Sequence, residues 1–274
     1  KIKKSGSEYV WMDGDGKVTL RNNLWYHHYE QEGGDIIDFV QKYYNKTYVE
    51  AVAFLLNQSY EKLPELQKSE KEYKSFQLPN QSRQIDRLLS YLLCNRAIDK
   101  DILYTFLRNG MIYQTAPHRN VVFVGYDLHR QPRHAHMRST GIKSSYKKNI
   151  MGSQAEYSFH WYGKGEKIYL FEAPIDMLSF ISMHKENWKD KNYAASCSVS
   201  DRVLFQCLKD NSNIKKVYLC FDNDEAGRTA NKRIAEKLKI KHIEYEILVP
   251  KFKDWNEDLL NQERTGAICQ DLKS

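Results

Sequence analysis

From Glu166 onward the chain alternates short apolar strands with amphipathic helices, and few architectures accept that rhythm. "KIYLFE" reads as a strand, "PIDMLSFISMHK" as a helix, "NYAASCS" as a strand and "DRVLFQCLKD" as a helix. "KKVYLCFD", "EAGRTANKRIAEKLK" and "HIEYEILVP" continue as strand, helix and strand. Elements of these lengths in this order build a parallel sheet with right-handed crossovers. The fold class is therefore α/β in this half. In such sheets functional groups gather beyond the carboxyl ends of the strands. Glu172 ends the first of these strands, and Asp222 and Asp224 end the third.

Residues i and i+2 on an extended tip point the same way, so both aspartates can face one point. If the two strands are neighbours, Glu172 reaches the same crevice. Clustered carboxylates repel one another, and a hard divalent cation with oxygen ligands, Mg²⁺ or Mn²⁺, resolves that repulsion. In the plainer reading, Asp222 to Glu225 only cap the helix that starts near Ala226. Capping accounts for one or two of these acids. It leaves Glu172 unexplained at the matching end of another strand.

The preceding segments are of other kinds. Residues 9–34 hold β-prone pieces around the turn Asp13-Gly14-Asp15-Gly16. Two helices are predicted next, Asp35 to Tyr44 and Tyr48 to Asn57, separated at Asn45-Lys46-Thr47. A polar stretch with two prolines, residues 61–82, reads as a linker. Two more helices follow, parted near Asn95 to Ala97, with Asp99 as cap and Gly110 as stop. "NVVFVGYDLHRQPRHAHMRST" reads as a β-hairpin whose return strand places His134, His136 and Arg138 on one face. Basic loop residues Lys143, Lys147 and Lys148 come after it.

A length of 274 residues allows one large domain or a few small ones. The formal charge of +7 suits a nucleic-acid partner without requiring one. Five cysteines, far apart and without a CxxC pair, predict a reduced, cytoplasmic protein lacking both a disulfide framework and a cysteine zinc site. No apolar run approaches the roughly 18 residues a membrane helix needs, so no membrane partner is expected.

"YLFEAPIDMLSF" and "YLCFDNDEAGR" together resemble the Toprim domain of bacterial primases, topoisomerases and some nucleases. That family carries a glutamate after a hydrophobic strand, then a DxD followed by Gly-Arg. Glu172, Asp222, Asp224, Gly227 and Arg228 fall on those positions, and Asp176 matches an aspartate one helical turn past the glutamate. The resemblance implies divalent-metal-dependent phosphotransfer. Its aspartates would hold the cation, and the glutamate would bind it or move a proton. "KDWNEDL" resembles the second acidic cluster of primase Toprim domains. Asp254 matches, while Asn256 stands where a second aspartate is expected. Ala173 replaces the usual glycine.

"SYLLCNRAIDKDILYTFLRNGMIY" and the hairpin after it resemble the piece that precedes Toprim in bacterial replicative primases. Arg96 and Arg138 match its basic positions, and the resemblance gives them phosphates to contact. Arg133, Lys143, Lys147, Lys148 and Arg228 complete the expected nucleotide- or nucleic-acid-binding set. The N-terminal "GGDIIDFVQKYYNKTYVEAVAFLL" is similar to the end of the primase zinc-binding domain. The zinc ligands are missing, because residues 9–29 hold no cysteine and His27 and His28 are adjacent. No zinc is expected; Trp11, Trp25 and Tyr26 would replace it by packing, or His27 and the aromatics would touch single-stranded DNA.

The expected organisation is a zinc-less, degenerate ribbon-like domain over 1–60, a linker over 61–82, an α+β primase-palm-like subdomain over 83–163 and Toprim over 164–274. The expected activity is that of a mobile-element primase: nucleotidyl transfer on single-stranded DNA with nucleoside triphosphates. Replication or conjugation proteins are the expected protein partners. The alternatives are a Toprim metal-dependent nuclease and a non-catalytic DNA-binding accessory protein of replication or conjugation. No counterpart of the helical bundle that follows Toprim in replicative primases is expected after Leu260.

Overall fold

The computed structural model describes residues 2–6, 8–13, 16–30, 32–56, 76–141, 146–198 and 200–262. The chain divides into two compact units, Lys1–Tyr73 and Lys74–Ser274.

In the first unit five antiparallel strands lie in chain order: β1 (Lys3–Ser5), β2 (Glu8–Asp13), β3 (Gly16–Arg21), β4 (Leu24–His27) and β5 (Glu32–Asp35). Helices α1 (Ile36–Tyr43) and α2 (Tyr48–Leu55) follow. Each begins with a capping box, Asp35 with Asp38 and Thr47 with Glu50, which satisfies two backbone donors that a helix start leaves unpaired. Trp11 and Trp25 meet Phe39 and Tyr43 of α1 edge-on, at ring separations of 5.0 to 6.1 Å. Tyr26 stands apart from this cluster, 39% exposed, with its ring against His28. The expectation that it packs in place of zinc is thus corrected: its register position is on the opposite face from Trp25. His27, expected as a possible DNA contact, is 2% exposed and closed off by Gly16, where a Cβ would lie 2.0 Å from the imidazole.

The second unit holds two sheets. The smaller has the order β6-β7-β8-β9 with all pairs antiparallel: β6 (Ile112–Gln114), β7 (Val121–Tyr126), β8 (Pro132–Arg138) and β9 (Lys147–Asn149). Helix α3 (Asp86–Leu89) runs directly into a wider π-helical segment, Ser90–Asn95, and α4 (Lys100–Arg108) follows, capped by Asp99. Residues 76–82, expected within the linker, run along this sheet: Gln81 bridges Thr115, and Tyr113 Oη donates to Pro79 O.

The larger sheet has the order β10-β12-β11-β13-β14. Its strands are β10 (His160–Trp161), β11 (Lys167–Phe171), β12 (Asn192–Ala195), β13 (Lys216–Cys220) and β14 (Glu244–Ile247). The last four are parallel, and β10 is an antiparallel edge. The crossovers are α5 (Pro174–Met183), α6 (Arg202–Asp210) and α7 (Glu225–Ile240). Tyr169, Phe171 and Cys220 face one core with α4 and α5 residues, while Ile168, Leu170, Val217 and Leu219 face another with α6 and α7. Helices therefore cover both faces, as a near-continuous apolar parallel sheet demands.

From β11 the chain moves to β12 on one side, and from β13 to β14 on the other. The topological switch point thus lies between β11 and β13, where a crevice opens at the strand ends. Among the described residues no helix is long and apolar enough to cross a membrane.

Candidate active site

Glu172 and Asp222 sit at that switch point. β11 and β13 pair in parallel with Phe171 opposite Cys220, so Glu172 stands one residue and Asp222 two residues past the last pair of neighbouring strands, close enough for Glu172 to act on Asp222. α7 starts immediately after, with Asp224 as its N-cap accepting from Gly227 N–H at 2.9 Å. Gly227 is required here by close approach, since a Cβ would come 2.1 Å from the Asp222 carbonyl oxygen. Arg228 Nη1 donates to Asn223 O and Oδ1, each at 3.2 Å, and so braces the loop. Glu225 is an exposed acid of the first helical turn.

The loop before the last described helix, α8 (residues 255–262), closes the crevice. Asn223 N–H donates to Lys253 O at 2.8 Å, and Trp255 Nε1 donates to Cys220 O at 2.8 Å. These bonds carry Asp254 to the end of β13, where its Oδ1 accepts from Glu257 N–H. Asp176, in the first turn of α5, is 6% exposed.

The electrostatics show that these carboxylates share one environment. Burial pushes the Asp222 carboxyl well above the usual carboxylate range, and Asp176, Glu172, Asp254 and Asp224 add to the rise. Burial does the same to Asp176, reinforced by Asp254 and Glu172 and opposed by the Asn256 N–H and Arg138. Glu172 is raised mainly by burial, with Lys147 pulling the other way, Asp224 pushing it further up and Lys253 opposing. Oδ1 of Asp222 is buried without a hydrogen-bond partner, an unsatisfied acceptor amid like charges. That orphan oxygen and the all-carboxylate donor set fit a hard cation. Among the described residues, no three His, Cys, Asp or Glu side chains converge closely enough to ligate one ion.

Opposite the acids lies a basic group. Arg96 Nε and Arg138 Nε both donate to Tyr91 Oη, at 3.1 and 2.8 Å. Arg96 Nη1 also donates to Asn256 Oδ1 at 2.9 Å. Asn256 is 2% exposed, and its Nδ2 donates to Arg96 O and Ser179 Oγ, at 2.8 and 3.0 Å. Lys147 pairs across β8–β9 with Arg138, so the two share a sheet face, whereas Lys148 is paired with Met137 on the other face.

Some expected residues go elsewhere. Arg133 pairs with Asp127 at 2.7 Å at the hairpin turn, five residues and about 16 Å of strand from Arg138. Arg133 therefore stands apart from Arg96 and Arg138. His134 and His136 are buried, and burial lowers them to about 3 and about 4, so they stay neutral and add no positive charge. Lys143 lies outside the described residues. Tyr91 and Lys253 were not anticipated. The spacing Tyr91 to Arg96 was the only available signal for Tyr91, and it becomes meaningful only with a π turn.

The profile of the Toprim-like family matches residues 169–259. These residues are a Toprim-like domain. Residues 90–165 match a second family, described as a protein of unknown function (DUF3991). An uncharacterized Bacillus anthracis protein, pXO2-78, is 28% identical over 245 residues, covering 84% of this chain and 69% of its own length. The uncharacterized Mycoplasma genitalium protein MG010 is 32% identical over 108 residues, 38% of this chain and 47% of its own. The primase fragment of the bacteriophage T7 primase-helicase protein shares the fold, with a TM-score of 0.51 at 17% identity, covering 92% of this chain and 93% of that one. The mixed α/β architecture around a Toprim-like domain is thus one that a phage primase fragment also adopts.

Proposed function

We propose that the chain is a primase-like, divalent-metal-dependent nucleotidyltransferase acting on single-stranded DNA in the replication or transfer of a mobile element. The observation that carries this reading is that acids and arginines occupy one locus. Arg138 acts on Asp176, and Asn256, which holds Arg96, also lowers Asp176 and donates to Ser179 on the same helix, α5. A carboxylate cluster beside two guanidiniums suits a polyphosphate that arrives with a cation, because each half neutralises one component. The pXO2 designation of the Bacillus anthracis relative supports the mobile-element part. The fold shared with a phage primase fragment supports the rest.

In this reading Glu172, Asp222 and Asp224, with Asp176 and Asp254 as further candidates, would hold Mg²⁺ or Mn²⁺ once the ion draws them closer than they stand in its absence. A bound cation there supplies neutralisation of phosphate charge and orientation of the reacting oxygens. Arg96, Arg138 and Lys147 bind nucleotide phosphates, which gives affinity without base reading. Glu172, raised by its burial above the ordinary carboxylate range, is suited to take the proton of an attacking 3′-hydroxyl. Lys148 and Arg228 serve the approaching strand. We assign residues 1–60 to a zinc-free ribbon-like domain, 83–163 to a primase-palm-like subdomain that residues 76–82 join, and 164–274 to Toprim; the rest of the expected linker, 61–75, lies outside the described residues.

The test is incubation of single-stranded DNA, labelled nucleoside triphosphates and Mn²⁺ with wild type and with Asp222→Asn. Newly made oligonucleotides that vanish in the variant are the expected result. Shortened DNA would make the protein a nuclease. DNA bound without either product would leave the Toprim-like domain a non-catalytic scaffold.

A further inference from the structure

The π-helical segment Ser90–Asn95 inserts one extra residue per turn, a device that often marks functional positions. Here Arg96 N–H bonds Tyr91 O, five residues back, at 3.1 Å. That wider turn brings the Arg96 guanidinium over the Tyr91 ring, 5.1 Å from its centroid, with Nε on the phenol oxygen. Arg138 reaches the same oxygen from β8, a different element 47 residues away. Among the described residues neither guanidinium is ion-paired to a carboxylate. Two like charges are therefore gathered on one neutral acceptor, and the Nη groups of Arg138 keep no protein partner among the described residues.

Holding two cations together costs Coulomb energy, which the phenol and the neighbouring Asp176, itself pushed towards its neutral form by burial, return only in part. An arrangement of this kind is expected where a multivalent anion completes it. Asn256 supplies the third constraint. Its carbonyl oxygen accepts from Arg96 while its NH₂ donates to Arg96 O and to Ser179 of α5. A carboxylate at this position could accept but not donate.

We infer that Tyr91 and Asn256 are positioning residues that hold Arg96 and Arg138 as one pre-formed clamp for the phosphate chain of a nucleoside triphosphate. The inference rests on the primase-like reading. Asn256, on this account, is not a ligand position left empty by substitution; it aligns an arginine. The clamp takes a triphosphate rather than the DNA backbone because its two cations converge within one hydrogen-bonded cluster instead of spacing out along a groove.

The experiment measures binding of ATP, AMP and a short oligothymidine by calorimetry, in the presence of Mn²⁺. Wild type is compared with Tyr91→Phe, Arg96→Lys, their double variant and Arg138→Ala. Tyr91→Phe should weaken ATP about tenfold and shrink the preference for ATP over AMP, while oligothymidine binding holds. The double variant should bind ATP no worse than its weaker parent, because both substitutions break one cluster. A general loss of structure would weaken all three ligands alike and would not reproduce that pattern. Should Tyr91→Phe fail to fold, Arg96→Lys carries the test, and unchanged ATP affinity in it overturns the inference. Wild-type ATP affinity in Tyr91→Phe, with a loss in Arg138→Ala, would sink the positioning role and leave the function standing. Unchanged ATP affinity in Arg138→Ala would remove the phosphate role itself. A loss confined to oligothymidine would assign the pair to the strand.

Discussion

Asp222 concentrates the conflict within this site. Its carboxylate is half-buried, one oxygen lacks a partner, and four other acids raise its pKa. In the metal-free protein the native state therefore favours the protonated form. A raised acid in the folded state stabilises it relative to the unfolded chain at low pH, and that contribution is lost as pH rises above the ordinary carboxylate range. Three outcomes follow at this scale. Asp222→Asn should raise the melting temperature of metal-free protein at neutral pH by several degrees, as relief of about 1–3 kcal/mol would do. Wild-type stability should fall between acidic and neutral pH, with a shallower fall in the variant. Cation affinity should climb over the same rise, since a cation displaces the proton. Thermal melts across pH check the first two directly; a lower melting temperature in Asp222→Asn would contradict them. The pairing of Glu172 with Asp222 and Asp224 was legible in the sequence because each ends an apolar strand of one parallel unit. That His134, His136 and Arg138 share a face was legible too, but alternation does not tell whether a face is buried or where along it the site lies, so the place of Arg133 was not.

At the level of elements, the strand tip and the start of α7 work as one piece. Gly227 allows the helix to begin against the Asp222 carbonyl, and Asp224 caps it. Gly227→Ala places a methyl 2.1 Å from a backbone oxygen, so the helix start must shift. We expect destabilisation of about 1–3 kcal/mol, against the small gain alanine gives in an open helix, and impaired cation binding besides. Unchanged melting in Gly227→Ala would show that the loop has slack. Nearly every strand and helix of this sheet was legible, because long apolar runs and caps mark them. The π turn was not, since a one-residue insertion leaves the apolar periodicity of "RLLSYLL" almost untouched. Tyr91 and its two arginines were hidden with it. In the first unit the packing of Trp11 and Trp25 was legible from their aromatic character, but the place of Tyr26 required knowledge of strand register.

Across the second unit, a parallel sheet and an antiparallel one share an apolar core, and each contributes one half of the candidate site. The Toprim-like half supplies carboxylates and the smaller sheet with its helices supplies guanidiniums; Asn256 joins them. The central claim is that the acids form a cation site. The most direct measurement is calorimetric titration with Mn²⁺ of wild type and of the Asp222→Asn, Asp224→Asn double variant. Saturable binding by wild type that disappears in the double variant is the predicted result. Equal Mn²⁺ affinity in the two proteins would contradict the assignment and leave these acids as helix caps on a phosphate-binding scaffold.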